Sequence, residues 1–465
     1  MVSGRDEKYA RGREGGKHRP SLAASLVITG GIGASFLLRI TLASSPAVPD
    51  WLITGCSELL TLRGSAPRRG RNLKDLGIIH DGALLVHNDR VQAVGRRRRI
   101  ERLKEARRAE KLELGGRVVL PGFVDSHTHL IFPSTRVSEY EQRISGATYE
   151  EIARSGGGIR STIEQLRHAS PEVLQQRALA HLSEFATHGT TTLEAKSGYG
   201  LSWKDEFKIL KVLRDLQEAQ PLDIAATFLG AHIVPPEFRR RPHAYVDLLI
   251  RRWIPAVARA GLAKFCDVFC DRGGFTVAQS RKILTAGHAF GLVPRIHAEQ
   301  ITHTGASRLA IELQAASADH LDKLTPGDVR ALALSNVVCT MLPGCCFHLG
   351  LVQYGPARQL IDAGAIVALA TDFNPGTSPT LSMSMILSLA CTQMRMTPAE
   401  AISAATLNSA YSLREHERIG SLEVGKFADV VAFEVADHRE IPYYFGVNLC
   451  SLTMKRGTII YQKKL

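Results

Sequence analysis

His127 and His129 stand two residues apart at the end of an apolar run, Leu-Pro-Gly-Phe-Val-Asp-Ser-His-Thr-His over 120–129. In a strand, residues i and i+2 face one side, so both imidazoles can reach one ion. Packing alone explains such a pair poorly, whereas clustered His and Asp mark metal sites. Downstream, His232, His297, the dipeptide Asp319-His320 and Asp372 each close a further short apolar run. His127, His129, His297 and Asp372 can supply three nitrogens and one oxygen, a donor set that suits Zn²⁺ or Fe²⁺. With one position left for water, such an ion lowers the pKa of that water to about 7. His320 and Asp372 could then handle protons, and an unperturbed imidazole pKa of about 6.5 suits the task. A hydrogen-bonded core His or a helix-capping Asp is the plain alternative for each, and taken singly His232 and His320 read equally well that way. Their shared position at strand ends is what favours catalysis.

That position follows from the elements. From residue 118 on, short apolar runs alternate with longer helical patterns. The runs lie at 118–125, 190–196, 223–230, 264–270, 293–297, 315–320, 336–342 and 366–371, with helical periodicity between them, as at 171–188 and 204–218. Eight strands alternating with helices predict an α/β fold, a (β/α)8 TIM-like barrel, whose active sites sit at the C-terminal strand ends. Segments 51–62, 82–94, 428–434 and 452–462 alternate like strands. They predict a small β-sandwich built from both chain ends, with turns at Gly425-Lys426 and Arg456-Gly457. The expected division is an extension over 1–47, a composite β-sandwich from 48–117 and 425–465, and a barrel over 118–424.

The net charge of +13 is unevenly spread: residues 1–117 hold 23 Lys and Arg against 12 Asp and Glu, a local +11. Arg96 to Arg99 follow an apolar alternation and read as a solvated loop. No basic patch interleaved with aromatics exists, which counts against nucleic-acid binding. The eight cysteines form no C-x-x-C pair and read as buried thiols, in keeping with a reducing cytoplasm. Residues 21–38 form an apolar run after a basic stretch, broken by Gly30, Gly31 and Gly33. The run has the look of a signal peptide or weak membrane anchor; the favoured reading is an extension, or a start assigned too early, with no role in the fold. The expected partner is a small-molecule substrate, with no membrane unless that run is an anchor; a homodimer is one assembly open to the chain.

The 120–129 segment resembles the first-strand signature of the amidohydrolase superfamily. More narrowly, the chain is similar to the imidazolonepropionase family through Ala-Thr-Tyr-Glu-Glu-Ile at 147–152, Gly-Gly-Gly-Ile at 156–159, Glu-Ala-Lys-Ser-Gly-Tyr-Gly-Leu at 194–201 and Phe-Leu-Gly-Ala-His at 228–232. Asp-Val-Phe-Cys at 267–270, His-Ala-Glu-Gln at 297–300, Ala-Thr-Asp-Phe-Asn-Pro-Gly at 370–376 and the widely shared Gly-Ser-Leu-Glu-Val-Gly-Lys at 420–426 extend the likeness from about Trp51 to the C-terminus. The resemblance implies hydrolysis of the cyclic amide of 4-imidazolone-5-propanoate to N-formimidoyl-L-glutamate, in histidine degradation. It implies one Zn²⁺ or Fe³⁺ on His127, His129, His297 and Asp372. It assigns substrate contacts to Arg136, Tyr199, His232, Gln300, Asn374, Gly376 and Thr377, with Tyr149 reading equally as barrel-mouth packing.

Elementary chemistry fits these roles. A guanidinium at Arg136 can bind a propionate tail bidentately. His232 can donate to the ring carbonyl as charge develops there. Tyr149 and Tyr199 offer flat faces to a planar ring, and Asn374 with the amides near Gly376 can bind the tail carboxylate. Water activated at the ion would attack the ring amide carbon, with His320 or Asp372 taking its proton and passing it to the leaving nitrogen. Phe132-Pro-Ser-Thr departs from the small residues usual before this arginine. Gln300, an amide, can orient substrate but cannot act as a base. Lys196 could be a carbamylated lysine bridging two metals, although the family-specific Lys-Ser-Gly-Tyr-Gly points to one metal. The rival readings are a nucleobase-type aminohydrolase, which would want Glu at position 300, and a non-catalytic metal-binding scaffold.

Overall fold

The computed structural model describes residues 49–147, 151 and 156–464. The expected extension over 1–47, its apolar run at 21–38, and Tyr149 lie outside the described residues. Among the described residues fifteen strands are formed: β1 Trp51–Leu60, β2 Ile78–His87, β3 Arg90–Arg96, β4 Glu110–Pro121, β5 Phe123–Asp125, β6 Thr190–Lys196, β7 Asp223–Ala231, β8 Phe265–Cys270, β9 Val293–Ala298, β10 Ser317–His320, β11 Val338–Met341, β12 Ile366–Leu369, β13 Val430–Phe433, β14 Cys450–Lys455 and β15 Thr458–Gln462. Strands β5 to β12 are neighbours in sequence order in one eight-stranded sheet, and its pairs are parallel. Helices run between them. Pro171–Thr187 starts on a Ser170 cap with Pro at its first position, and Trp203–Ala219 starts on a Ser202 cap. Both match the helical periodicity read from the sequence.

The barrel closes where β5 and β12 run out. Asp372 N donates to His127 O at 3.1 Å and His129 N donates to Phe373 O at 2.8 Å, forming a parallel bridge between Thr128 and Phe373. Below it, the Asp125 carboxylate accepts from Thr371 N and Oγ1 at 3.0 and 2.5 Å.

The second sheet has seven strands in the order β15-β14-β13-β4-β1-β2-β3, and so draws on both chain ends. Its strands form one hydrogen-bonded sheet. One face encloses an apolar cluster that joins Ile53, Leu84 and Val86 to Val430, Leu452 and Met454. The run 82–94, read as a single strand, is a hairpin, and so is 452–462, with its turn expected at Arg456-Gly457. That expected turn forms at Arg456-Gly457, where both residues have positive φ as a tight type I′ turn requires. The run 118–125 serves both sheets. Residues 118–121 pair with β13, and 123–125 pair with β6. Proline lacks a ladder N–H, and a methyl on Gly122 would lie 2.3 Å from the Thr191 side chain, so Pro121-Gly122 is where the chain can cross.

A buried ion cluster pins the two sheets together. Lys455 Nζ, on β14, lies 2.7 Å from Asp429 Oδ2 and 2.8 Å from Asp223 Oδ2 at the start of β7. Lys455→Ala leaves Asp429 buried without its cation and should cost about 3–5 kcal/mol in urea unfolding. A loss below about 1 kcal/mol, the worth of an exposed pair, would show that the cluster does not join the sheets.

Candidate functional site

The closing bridge carries the site. Thr128 turns toward β6, where its N donates to Glu194 Oε2 at 3.2 Å and its Oγ1 to Glu194 O at 2.6 Å. Strand alternation therefore turns His127 and His129 to the other side. Nitrogens of His127, His129 and His297 all lie within 4.8 Å of one another, as do donor atoms of His127, His320 and Asp372. Asp372 Oδ1 is 3.5 Å from His127 Nε2 and 3.7 Å from His129 Nε2.

The second nitrogens explain the aim of the first. His127 Nδ1 donates to Asp319 Oδ2 at 2.8 Å, and His297 Nδ1 lies 3.1 Å from Asp267 Oδ2. A carboxylate on Nδ1 fixes the tautomer and directs the Nε2 lone pair outward. Nε2 of His127 and both nitrogens of His297 are buried without a hydrogen-bond partner, His297 Nδ1 meeting Asp267 only at ion-pair distance, as are Nδ1 of His129 and His320. Burial, reinforced by neighbouring positive charge, holds His127, His129 and His320 well below the usual imidazole range, so these rings are neutral. Each orphaned buried acceptor costs about 1–3 kcal/mol. A cation among them would satisfy several at once, and three imidazoles with a carboxylate are donors of the right chemistry.

Behind the ligand-type residues lies a charge cluster. Lys196 Nζ is 2.8 Å from Glu194 Oε1, 2.8 Å from Asp267 Oδ2 and 3.9 Å from Asp319 Oδ2, all fully buried. Arg295 Nη2 adds a contact of 3.4 Å to Asp319 Oδ2 and donates to Ser126 O. Burial alone would lower the Lys196 pKa, but Asp267 and Glu194 outweigh it and raise it, so the ammonium persists. Backbone strain gathers at the same rim: Glu299, His320, Leu321 and Asp372 all have φ between 48° and 78°. Non-glycine residues adopt this region at a cost of about 1–3 kcal/mol each, typically at functional sites.

The expected substrate residues fall into three groups. Tyr199 is buried, its ring centroid 5.6 Å from that of His129 and 5.5 Å from that of His232, while the His129 and His232 rings stack at 5.3 Å. Arg136 Nε donates to Thr162 Oγ1 at 2.8 Å, and its guanidinium lies against Gly376, where an added methyl would fall 2.4 Å from Nη1. The Arg136 charge acts on both Tyr199 and His232. Gln300 is half-buried, its amide donating to Cys345 Sγ at 3.5 Å.

Two expected roles change. Asn374 Oδ1 accepts from Gly376 N and Thr377 N, both at 2.8 Å, while its Nδ2 donates to Asp372 O and Thr377 Oγ1. The side chain and the neighbouring amides expected to bind a carboxylate are thus consumed in shaping their own turn. His232 Nδ1 lies 3.1 Å from Gly198 O, which can only accept. Burial lowers the His232 pKa to about 3. A neutral ring with its proton on Nδ1 has only a lone pair on Nε2, so His232 accepts rather than donates there.

Several contributors escaped the sequence reading. Asp267 and Asp319 orient histidines, and their signal was a lone charge inside an apolar strand. Arg143 Nη1 donates to Gly376 O at 3.4 Å while its Nη2 is buried without a partner, and nothing local marks it. Glu206 accepts from the amides of Gly198, Gly200 and Leu201 at 3.0, 2.8 and 2.8 Å, holding the loop that presents Tyr199. Glu299 points away from the site, accepting from Ser307 N at 3.0 Å.

Residues 118–460 match the amidohydrolase family model. The chain is 47% identical over 410 residues to an imidazolonepropionase of Geobacillus kaustophilus (strain HTA426), covering 87% of this chain and 96% of that one. It is 48% identical over 415 residues to an imidazolonepropionase of Solibacter usitatus (strain Ellin6076), covering 89% and 99%. Among solved structures, an adenosine deaminase from Xanthomonas campestris with bound zinc superposes with a TM-score of 0.66 at 16% identity, covering 88% of this chain and 92% of that chain, a likeness of fold alone.

Glu206→Ala strips three buried amides of their acceptor and should lower stability by at least about 2 kcal/mol. Urea unfolding reads the loss; an unchanged midpoint would remove Glu206 as the support of the Tyr199 loop.

Proposed function

The chain belongs to the amidohydrolase family and, within it, to the imidazolonepropionases; we propose that it hydrolyses the cyclic amide of 4-imidazolone-5-propanoate to N-formimidoyl-L-glutamate. The observation that carries this reading is the gathering of nitrogens of His127, His129 and His297 within 4.8 Å of one another, with Asp372 Oδ1 3.5 and 3.7 Å from Nε2 of His127 and His129. These four residues would hold one Zn²⁺ or Fe³⁺. Such an ion supplies Lewis acidity toward a carbonyl oxygen and lowers the pKa of water.

The remaining chemistry falls to the side chains. Arg136, the guanidinium against Gly376, pairs with the propionate carboxylate through parallel charge-assisted hydrogen bonds. Tyr199 and His232 present ring faces to the planar imidazolone, and the His232 Nε2 lone pair accepts from a ring N–H. Gln300 and Thr377 offer an amide and a hydroxyl at the edge of the same space, and Asn374 acts through the turn that it builds. His320, neutral and with Nδ1 unpartnered, takes a proton from the attacking water. The water oxygen bonds to the ring amide carbon, the C–N bond breaks, and the proton on His320 passes to the departing nitrogen. Asp372, the other acceptor of suitable position, is engaged as a ligand. The nucleobase aminohydrolase reading is disfavoured because Gln300 has no proton to shuttle and its amide is turned to Cys345. Among the described residues no helix is long and apolar enough to cross a membrane.

Freshly prepared 4-imidazolone-5-propanoate should lose its ultraviolet absorbance with the purified protein, and the loss should stop on chelation and return with added metal. Persistent substrate with metal-loaded protein would refute the assignment, and metal analysis of the same sample separates zinc from iron. His320→Ala should cut kcat about 10²–10⁴-fold with metal still bound; turnover intact would remove His320 as the proton carrier. Arg136→Met should raise KM about 10–100-fold, the worth of a charged hydrogen bond, and Gly376→Ala should raise it less by pushing the guanidinium aside. A KM unmoved in both variants would mean the tail binds elsewhere.

A further inference from the structure

The charge cluster behind the histidines touches both chain segments that carry the ligand-type histidines, 127–129 and 297. Glu194 holds Thr128 N, the peptide between His127 and His129. Asp319 accepts from His127 Nδ1, and Asp267 lies beside His297 Nδ1. These three carboxylates share one neighbour, Lys196, whose Nζ lies 2.8, 3.9 and 2.8 Å from Glu194, Asp319 and Asp267. Arg295 is the other cation of the cluster and reaches only Asp319 among them.

We propose that Lys196 is the positioning residue of the metal site: its ammonium gathers the three carboxylates that aim the histidines, and occupies oxygens that a second cation would need. The inference rests on the metal-site reading above. The physical reason is charge. Three carboxylates in a fully buried space repel one another and, without a cation, must take up protons, bind another ion or swing apart. Protonated or displaced, Asp319 and Asp267 no longer fix the Nδ1–H tautomer of His127 and His297, and Nε2 is no longer committed to the ion. An unmodified ammonium also separates this site from one in which the lysine carries carbon dioxide and bridges two metals. A carbamate nitrogen bears no positive charge, and its oxygens would face the Glu194 and Asp267 oxygens now 2.8 Å away.

The test uses the full chain, stripped by chelation and titrated with Zn²⁺ alone against a chromophoric competitor. Wild type should bind one equivalent. Lys196→Met should bind it about 10–100-fold more weakly, the usual loss for an outer-shell partner. Long-range ¹⁵N–¹H spectra should show His127 and His297 as Nδ1–H tautomers in apo wild type and as mixtures in the variant. Equal Zn²⁺ affinity with unchanged tautomers would overturn the proposal. So would two ions per wild-type chain, or a carbamate signal after incubation with ¹³C-bicarbonate. Both of these wild-type measurements stand even if Lys196→Met does not fold. In that event Asp319→Asn and Asp267→Asn, each severing one arm of the cluster, should weaken Zn²⁺ by a similar factor, and unchanged affinity in both would overturn it. A wild-type chain that binds no Zn²⁺ would instead bring down the metal-site reading itself.

Discussion

The barrel closes through the peptide groups of its own candidate-site residues. Strands β5 and β12 are short, and no regular ladder joins them within their bounds. Closure falls to the segments just beyond, where His127 O and His129 N pair with Asp372 N and Phe373 O. Closing an eight-stranded sheet and setting two histidines against an aspartate are therefore one event. The geometry of the site cannot drift without opening the barrel, which makes it rigid at the accuracy catalysis needs.

That arrangement has a cost, visible in the backbone and in the charges. Asp372 and His320 sit in left-handed conformations that a strand would not choose. Around them the barrel buries the carboxylates of Glu194, Asp267 and Asp319 with the cations of Lys196 and Arg295. An apolar core of the same volume would be as stable or more so. The fold keeps the charges because each carboxylate has a second task, beside a ring nitrogen or on the peptide between two ligand-type histidines.

The sequence made the barrel legible because buried parallel strands read as short apolar runs, and each run ended near the observed strand. His127, His129, His297 and Asp372 were legible for a related reason: core packing gives an apolar run little cause to end on an ionisable side chain. Hairpin turns were missed where Asn88 takes a positive φ with no glycine beside it. The sheet crossing at Gly122 was missed because it depends on Thr191, distant in sequence. Roles decided by hydrogen-bond saturation were out of reach. Nothing in Asp-Phe-Asn-Pro-Gly says that the Asn374 amide spends itself on its own turn, and nothing in Ala-His says that Gly198 O claims one nitrogen of His232.

Loops at the barrel mouth obey the same logic. Glu206 ties the 198–201 backbone to the start of the helix Trp203–Ala219, and Glu299 ties the end of β9 to the start of Ala306–Glu312. Both are buried, and in both burial favours the neutral acid while amide donors favour the carboxylate. A carboxylate that accepts two or three amides holds a loop at a fixed place, where a chain of small residues would wander. Tyr199, presented by one such loop, would need no reordering for the planar ring proposed to bind against it. Binding energy that would have gone into ordering the mouth remains for orienting the ring, and the polar groups facing it are set before the reaction begins.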